Sequence, residues 1–259
     1  MSFMPPQFEN GLLSRLSDRD LALLGPMQRV ELAPHNALEV ANRSVESIYF
    51  IERGFASVVA DDADGGIIEV GLIGPEGMTG LAVVHGVEKT PFSTFVQGAG
   101  TAVRVEPDNL RTALADSPSL HQLFMRYAQA FAVQVASTAS ANGRLLLEQR
   151  VARWLLMVGD RLGEQFQITH EFLAVMLAVR RAGVTRALQD LEARGLIRTM
   201  RGVVAIVDRL GLAEFTNGAY GLAEKEYDDL LGHLEPDTAD EVEDTWGHRR
   251  LGFHRQAPK

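Results

Sequence analysis

At 259 residues, with 46% hydrophobic and 23% charged residues, the chain can form one large or two small domains and is too apolar for global disorder. It contains no cysteine, which excludes disulfides, thiol catalysis and Cys-ligated zinc or iron–sulfur clusters. The net charge of −9 argues at first against a nucleic-acid partner, yet residues 144–209 hold eleven arginines against seven acids, a local balance of +4 in a chain that is −13 elsewhere.

No apolar run approaches the ~18–20 residues needed to span a bilayer. The first residues, MSFMPPQFENGL, lack the basic start and apolar core of a signal peptide. A soluble, cytoplasmic protein without a membrane partner is expected.

Residues 11–25 are Leu-rich and read as one or two short helices. Residues 27–106 are short β-rich runs at 47–51, 56–59, 67–73, 92–96 and 101–105, with turns expected at Arg53-Gly54, 61–66 and 74–77. Frequent strands with turn signals predict an antiparallel sandwich or barrel. After Pro107 the pattern becomes helical. Leu120, Phe124, Tyr127, Phe131, Val135 and Thr138 form a long helical stripe. That stripe must be covered, either by the chain's own β region or by a second copy of the same helix.

Asn142-Gly143 is expected to break this helix, and a second follows over 145–162 with a face of Leu147, Val151, Trp154, Leu155 and Val158. Thr169 can cap a helix running to residue 178. Another is expected over 180–194 and stops at Gly195. Two strand-like pieces, 196–200 and 203–207, join at Arg201-Gly202. Residues 223–231 form a weaker helical patch, and residues from 235 onward read as a loosely ordered polar tail.

Helix, tight turn, helix and hairpin form the layout of a winged helix-turn-helix. At about 100° per residue, Ala182, Thr185, Arg186 and Gln189 all fall within about 140° of Arg181. Val184, Ala187, Leu188 and Leu191 fall on the other side and can pack on Trp154, Leu173 and Leu177. The polar face carries residue types that bind phosphates and base edges.

The segments SIYFIERG (47–54), GGIIEVGLIGPEGMTG (65–80), LAVMLAVRRAGVTR (173–186) and GLI (195–197) keep their order over most of the chain. In these it resembles the CRP/FNR family of bacterial transcription regulators, from about residue 12 to residue 231. The resemblance implies an α+β protein of two domains: a β-roll (jelly-roll-like) sensor domain at 11–118, a dimerisation helix at 119–143 and a winged helix-turn-helix DNA-binding domain at 144–231. The tail would be 232–259. The implied function is that of a homodimeric regulator that binds double-stranded DNA at a two-fold symmetric operator and acts on RNA polymerase.

The same resemblance places Arg181 and Arg186 on the family's recognition-helix arginines. Thr185 and Gln189 would accompany them at the bases, while Thr169, Arg180 and the wing's Arg201 would hold phosphates. Ala182 stands where well-known members carry a Glu that can accept from cytosine, so a different operator is expected. The stripe of Leu120, Phe124, Tyr127, Phe131 and Val135 falls where the family's dimer helix lies.

In the sensor region Gly80 is followed by Leu81, where cyclic-nucleotide binders of the family have a Glu for the ribose. Pro91-Phe92-Ser93 occupies the phosphate stretch, with Lys89 the one cation nearby. Without the family's Arg a cyclic phosphate loses charge-assisted hydrogen bonds worth ~1.5–3 kcal/mol each. Cyclic AMP is therefore not expected. The absence of Cys removes the family's iron–sulfur oxygen sensor, and His85, a lone histidine before Gly86, is a poor haem ligand.

Gly80, Leu81, Phe92, Ser93 and Thr94 are candidates to line a pocket for an unknown small-molecule effector; the alternative is an ordinary strand. No catalytic or metal residues are expected. A cupin-like β-roll enzyme would need clustered histidines, and the β region offers only His35 and His85, with His121, His170, His233, His248 and His254 elsewhere. A third reading is a DNA-independent interaction module of the same fold, with the tail acids Glu235, Asp237, Asp240, Glu241, Glu243 and Asp244 competing for the basic surface. It leaves the Arg181 and Arg186 pair without a physical use.

Overall fold

The computed structural model describes residues 8–61 and 66–232. The tip of the expected 61–66 turn, His233, His248, His254 and nearly all of the expected tail lie outside the described residues. A 3-10 turn, Leu13–Arg15, precedes helix α1 (Asp18–Leu23), whose Ser17 cap accepts from the Asp20 N–H at 3.1 Å. Strands β1 (Gln28–Leu32), β2 (Ala37–Glu39), β3 (Ile48–Asp61) and β4 (Ile67–Ile73) follow, then a single turn, α2 (Leu81–Val84), and β5 (Ser93–Val105). The strands pair antiparallel in the order β1-β5-β3-β4, with β2 also on β5.

Two strands are longer than the residue pattern suggested. Arg53-Gly54 is not a turn; it lies inside β3, opposite an irregular stretch of β5 where the register shifts. Gly54 takes φ +81°, and a Cβ there would stand 2.3 Å from the Gly98 carbonyl oxygen. A Cβ on Gly100 would stand 1.9 Å from the Arg53 carbonyl oxygen. Glycine on both strands lets them bend together without separating.

Helix α3 (Pro107–Asp116) leads to α4 (Pro118–Arg144), whose Ser117 cap accepts from the Leu120 N–H. The expected break at Asn142-Gly143 falls in the last turn of α4, and Leu145 is the first extended residue. Leu120, Phe124 and Tyr127 are buried within the chain, in one core with Leu12, Phe50, Met78 and Val103. Phe131 packs partly on a neighbouring cluster of the same roll. Gln134 extends this contact with two hydrogen bonds to the Leu72 backbone, accepting from its N–H at 2.6 Å and donating to its carbonyl at 3.2 Å. The first half of the helical stripe is thus covered by the β-roll.

The remaining elements are α5 (Leu147–Leu162), β6 (Gln165–Gln167), α6 (His170–Met176), α7 (Arg181–Ala193), β7 (Ile197–Met200), β8 (Val203–Ile206), α8 (Arg209–Phe215) and α9 (Leu222–Leu231). β6 adds a third strand to the wing, in the order β6-β8-β7. Helix α9, expected within the DNA-binding section, instead lies along α4. The Tyr227 hydroxyl donates to the Glu76 carbonyl at 2.8 Å, Arg15 Nε donates to the Leu231 carbonyl at 3.0 Å, and Leu231 is buried in the N-terminal core.

The two halves share a core at Trp154 of α5. Its ring meets Phe55 edge-on at 6.4 Å and Phe172 at 6.0 Å, and Phe55 and Leu72 belong to the winged-helix core. Beside it Glu69 of β4 is fully buried. Its carboxylate accepts from Trp154 Nε1 at 2.8 Å and from the Ser57 hydroxyl. An ion pair between Arg161 of α5 and Glu76 closes the other side of the junction.

Burial pushes the Glu69 carboxyl up to about 7, outweighing the hydrogen bonds from Ser57 and Trp154 and the charges of Arg161 and Arg153. The folded state therefore holds this proton to higher pH than the unfolded chain, whose carboxyl ionises near 4.5. The contribution to stability is full below that value, declines as pH rises towards 7 and is level above it. Glu69→Gln should abolish this dependence. In urea titrations, the stability of wild type relative to the variant should fall by on the order of 3 kcal/mol between pH 4.5 and 7.5. A difference that stays constant with pH would contradict the buried carboxyl's raised ionisation.

Candidate nucleic-acid interface

Helix α6 is capped by Thr169, whose Oγ1 accepts from the Phe172 N–H at 3.1 Å. The chain turns out of α6 at Ala178, which takes φ +51°, and re-enters a helix with Arg180 as the N-cap of α7. Val184, Ala187, Leu188 and Leu191 are buried with Trp154, Leu155, Leu173 and Leu177, the apolar face expected from spacing. Arg181, Ala182, Arg186 and Gln189 are exposed on the other side. The wing turn brings Arg201 and Gly202, the latter at φ +72°, to the same end of the domain. A groove lined by Thr169, His170, Glu171, Arg181, Met200 and Gly202 runs between the starts of α6 and α7 and the wing.

The predicted residues differ in how free they are. Arg180, Arg186 and Arg201 are exposed and form no ion pair among the described residues. Arg181 Nε lies 3.8 Å from Glu171 Oε2, with both side chains about 70% exposed (70% and 73%). A surface pair of this kind is worth little, so a phosphate or guanine could displace the carboxylate. Thr185 is more constrained. Its hydroxyl donates to the Arg181 carbonyl at 3.2 Å and lies 2.9 Å from His170 Nδ1. His170 is a member of the groove that residue pattern did not single out; its meeting with Thr185 depends on how α6 crosses α7.

The cleft in the β-roll lies between the sheet, α2 and α4. It has a volume of about 530 Å3, and Gly80, Leu81, Phe92 and Thr94 line it, together with Phe131 and Val135 of α4. Ser93 faces away from it, its hydroxyl accepting from the Ala41 N–H at 3.0 Å. Gly80 takes φ +81°, a backbone conformation that side chains strain and glycine adopts freely. Glu39 of β2 also enters the cleft, unanticipated by the residue pattern. Its Oε1 accepts from the Gly80 N–H at 3.1 Å and its Oε2 from the Thr94 hydroxyl at 2.7 Å. Among the described residues no group of three or more His, Cys, Asp or Glu is placed to hold a metal ion, and no helix is long and apolar enough to cross a membrane.

The dimer-stripe assignment needs correction. Leu120, Phe124 and Tyr127 are buried in the protein's own core and cannot meet a partner, while Phe131 and Val135 are half-buried beside the cleft. Spacing locates an apolar stripe but not what covers it.

The fold is an antiparallel β-roll joined through a long helix to a winged helix-turn-helix. Residues 149–215 match the family model of the Crp-like helix-turn-helix domain. A CRP-like cAMP-activated global transcriptional regulator of Mycobacterium tuberculosis is 26% identical over 204 residues, 74% of this chain and 89% of that protein. The transcriptional regulator SdrP of Thermus thermophilus is 27% identical over 176 residues, 64% of this chain and 82% of its own length. A solved CRP-family regulator, also of Thermus thermophilus, superposes with a TM-score of 0.61 at 21% identity, covering 74% of this chain and 98% of that one. The chain is thus similar to transcription regulators of the CRP family, and it carries a match to the Crp-like helix-turn-helix domain.

Proposed function

We propose that the protein acts as a homodimer that reads a two-fold symmetric operator and regulates RNA polymerase from it. The observation that carries this reading is the exposed polar face of α7, Arg181, Arg186 and Gln189, beside Arg180 and the wing's Arg201. The face opposite is locked in a buried core. In this reading Arg181 and Arg186 contact bases, and Thr185 supports them through His170. Gln189 reaches further along the groove. Thr169, Arg180 and Arg201 bind phosphate and fix register. Two such helices enter successive major grooves about 34 Å apart.

The exposed side of α4 supports the dimer. Met125, Gln129, Ala132, Ala136, Ala139 and Gly143 are all exposed and recur at alternating steps of four and three residues, the spacing of a coiled-coil seam. The small side chains of Ala132, Ala136, Ala139 and Gly143 allow close approach of a second α4, and the three alanines also border the cleft. The cleft is read as the effector site. Among the described residues no arginine lines it, and Leu81 and Pro91-Phe92 stand where a cyclic phosphate and ribose would need partners, so cyclic AMP is not the proposed effector. No cofactor is assigned to it.

Selection from random DNA should return a motif with dyad symmetry. Arg181→Ala should cost ~1–3 kcal/mol and relax the preference at one base pair per half-site, whereas Arg201→Ala should weaken all sequences about equally. A uniform loss from both would show that α7 does not read bases. Ala136→Glu should shift the protein to a monomer in sedimentation and abolish tight operator binding, while its thermal unfolding stays near that of wild type. A dimer persisting in Ala136→Glu would place the interface elsewhere.

A further inference from the structure

We propose that the β-roll cleft binds a small, largely apolar molecule carrying a neutral or cationic hydrogen-bond donor, which is held at Glu39. This rests on the reading of the cleft as the effector site and assigns the chemistry of what enters it. A cleft of about 530 Å3 falls within the ~300–1,000 Å3 usual for small-molecule sites. Its walls are mostly carbon: Val58, Ile73, Met78, Leu81 and Phe92 from the roll, and Phe131 from α4.

Against these walls Glu39 supplies the carboxylate. Its position is fixed from two directions, by the Gly80 N–H and by the Thr94 hydroxyl, one to each oxygen. Each carboxylate oxygen accepts more than one hydrogen bond, so acceptor capacity remains for a ligand. The Gly80 N–H, which could otherwise hold an anion, is already engaged by Glu39. Among the described residues two further titratable groups line the cleft, His85 and Lys89, and both are exposed. A ligand anion placed deep in the cleft would meet the Glu39 carboxylate with no arginine among the described residues to offset it. A donor placed there would meet a prepared acceptor. Burial also pushes the Glu39 carboxyl up, against the pull of Thr94 and Gly80, as expected for an acid surrounded by carbon and lacking a cationic partner.

Four probes of differing head group test the assignment by calorimetry on the full chain without DNA: octanamide, octylamine, octanoate and cyclic AMP. Octanamide and octylamine should bind, octanoate at least about tenfold more weakly, and cyclic AMP not at all. Glu39→Gln keeps a side chain able to bond Thr94 and Gly80, and should melt close to wild type. It should reduce octylamine binding about tenfold and narrow the gap to octanoate. Lys89→Ala should leave the order of the probes unchanged. Octanoate binding as tightly as octanamide in wild type, and weakened by Lys89→Ala, would overturn the proposal in favour of an anion held at the mouth. Binding by none of the probes, or indifference to Glu39→Gln, would overturn it too. Operator binding is measured separately, so loss of the DNA reading with these affinities intact would leave this assignment standing.

Discussion

Most of the molecule is organised by the way α4 divides its two sides. Leu120, Phe124 and Tyr127 are committed to the β-roll core, and Gln134 clamps the Leu72 backbone, so the helix cannot rotate without breaking apolar contact and hydrogen bonds together. That commitment decides which residues of α4 remain exposed. It also makes α4 a wall of the cleft. Further along, Thr138 accepts from Arg153 at 3.1 Å and Asn142 from Arg150 at 3.0 Å, which ties the same helix to α5 beneath the DNA-binding face. The cleft, the exposed face of α4 and the winged helix therefore meet on one helix.

The charge distribution takes on a different meaning once partners are known. Of the eleven arginines that make residues 144–209 basic, Arg150, Arg153, Arg161, Arg194 and Arg209 are used inside the protein. They bond to the Leu177 and Ala219 carbonyls, to Glu76, to Asp190 and to Asp160 and Glu164 respectively. The cations that face outward near α7 and the wing are fewer than the arginine content of this section suggests, but they are concentrated at one end. Attraction to phosphate depends on that concentration rather than on the total.

What was legible in the residue pattern was local. The buried and exposed faces of α7, the Thr169 cap and the hairpin all follow from spacing within about thirty residues, a range over which helix and strand periods remain informative. Three features depended on long-range packing and carried no local signal. Gly54 reads as a turn until Gly98 and Gly100 are seen across from it. The stripe on α4 is the right pattern for either a core or a partner, and the β-roll took it. Glu39 and Glu69 look like ordinary strand carboxylates, since nothing nearby in sequence reveals that Thr94 or Trp154 will meet them.

Helix α9 gives the winged-helix section an unusual attachment. The chain leaves the β-roll through α4, builds the winged helix and then returns, burying Leu231 among residues from the opposite end of the sequence. A domain suspended from one strand of chain can swing and twist freely about that strand. One held at entry and exit behaves like a door on two hinges, able to turn about a single line and little else. The orientation of α7 relative to the β-roll is thus restricted from both ends of the winged-helix section, by α4 and by the packing of α9.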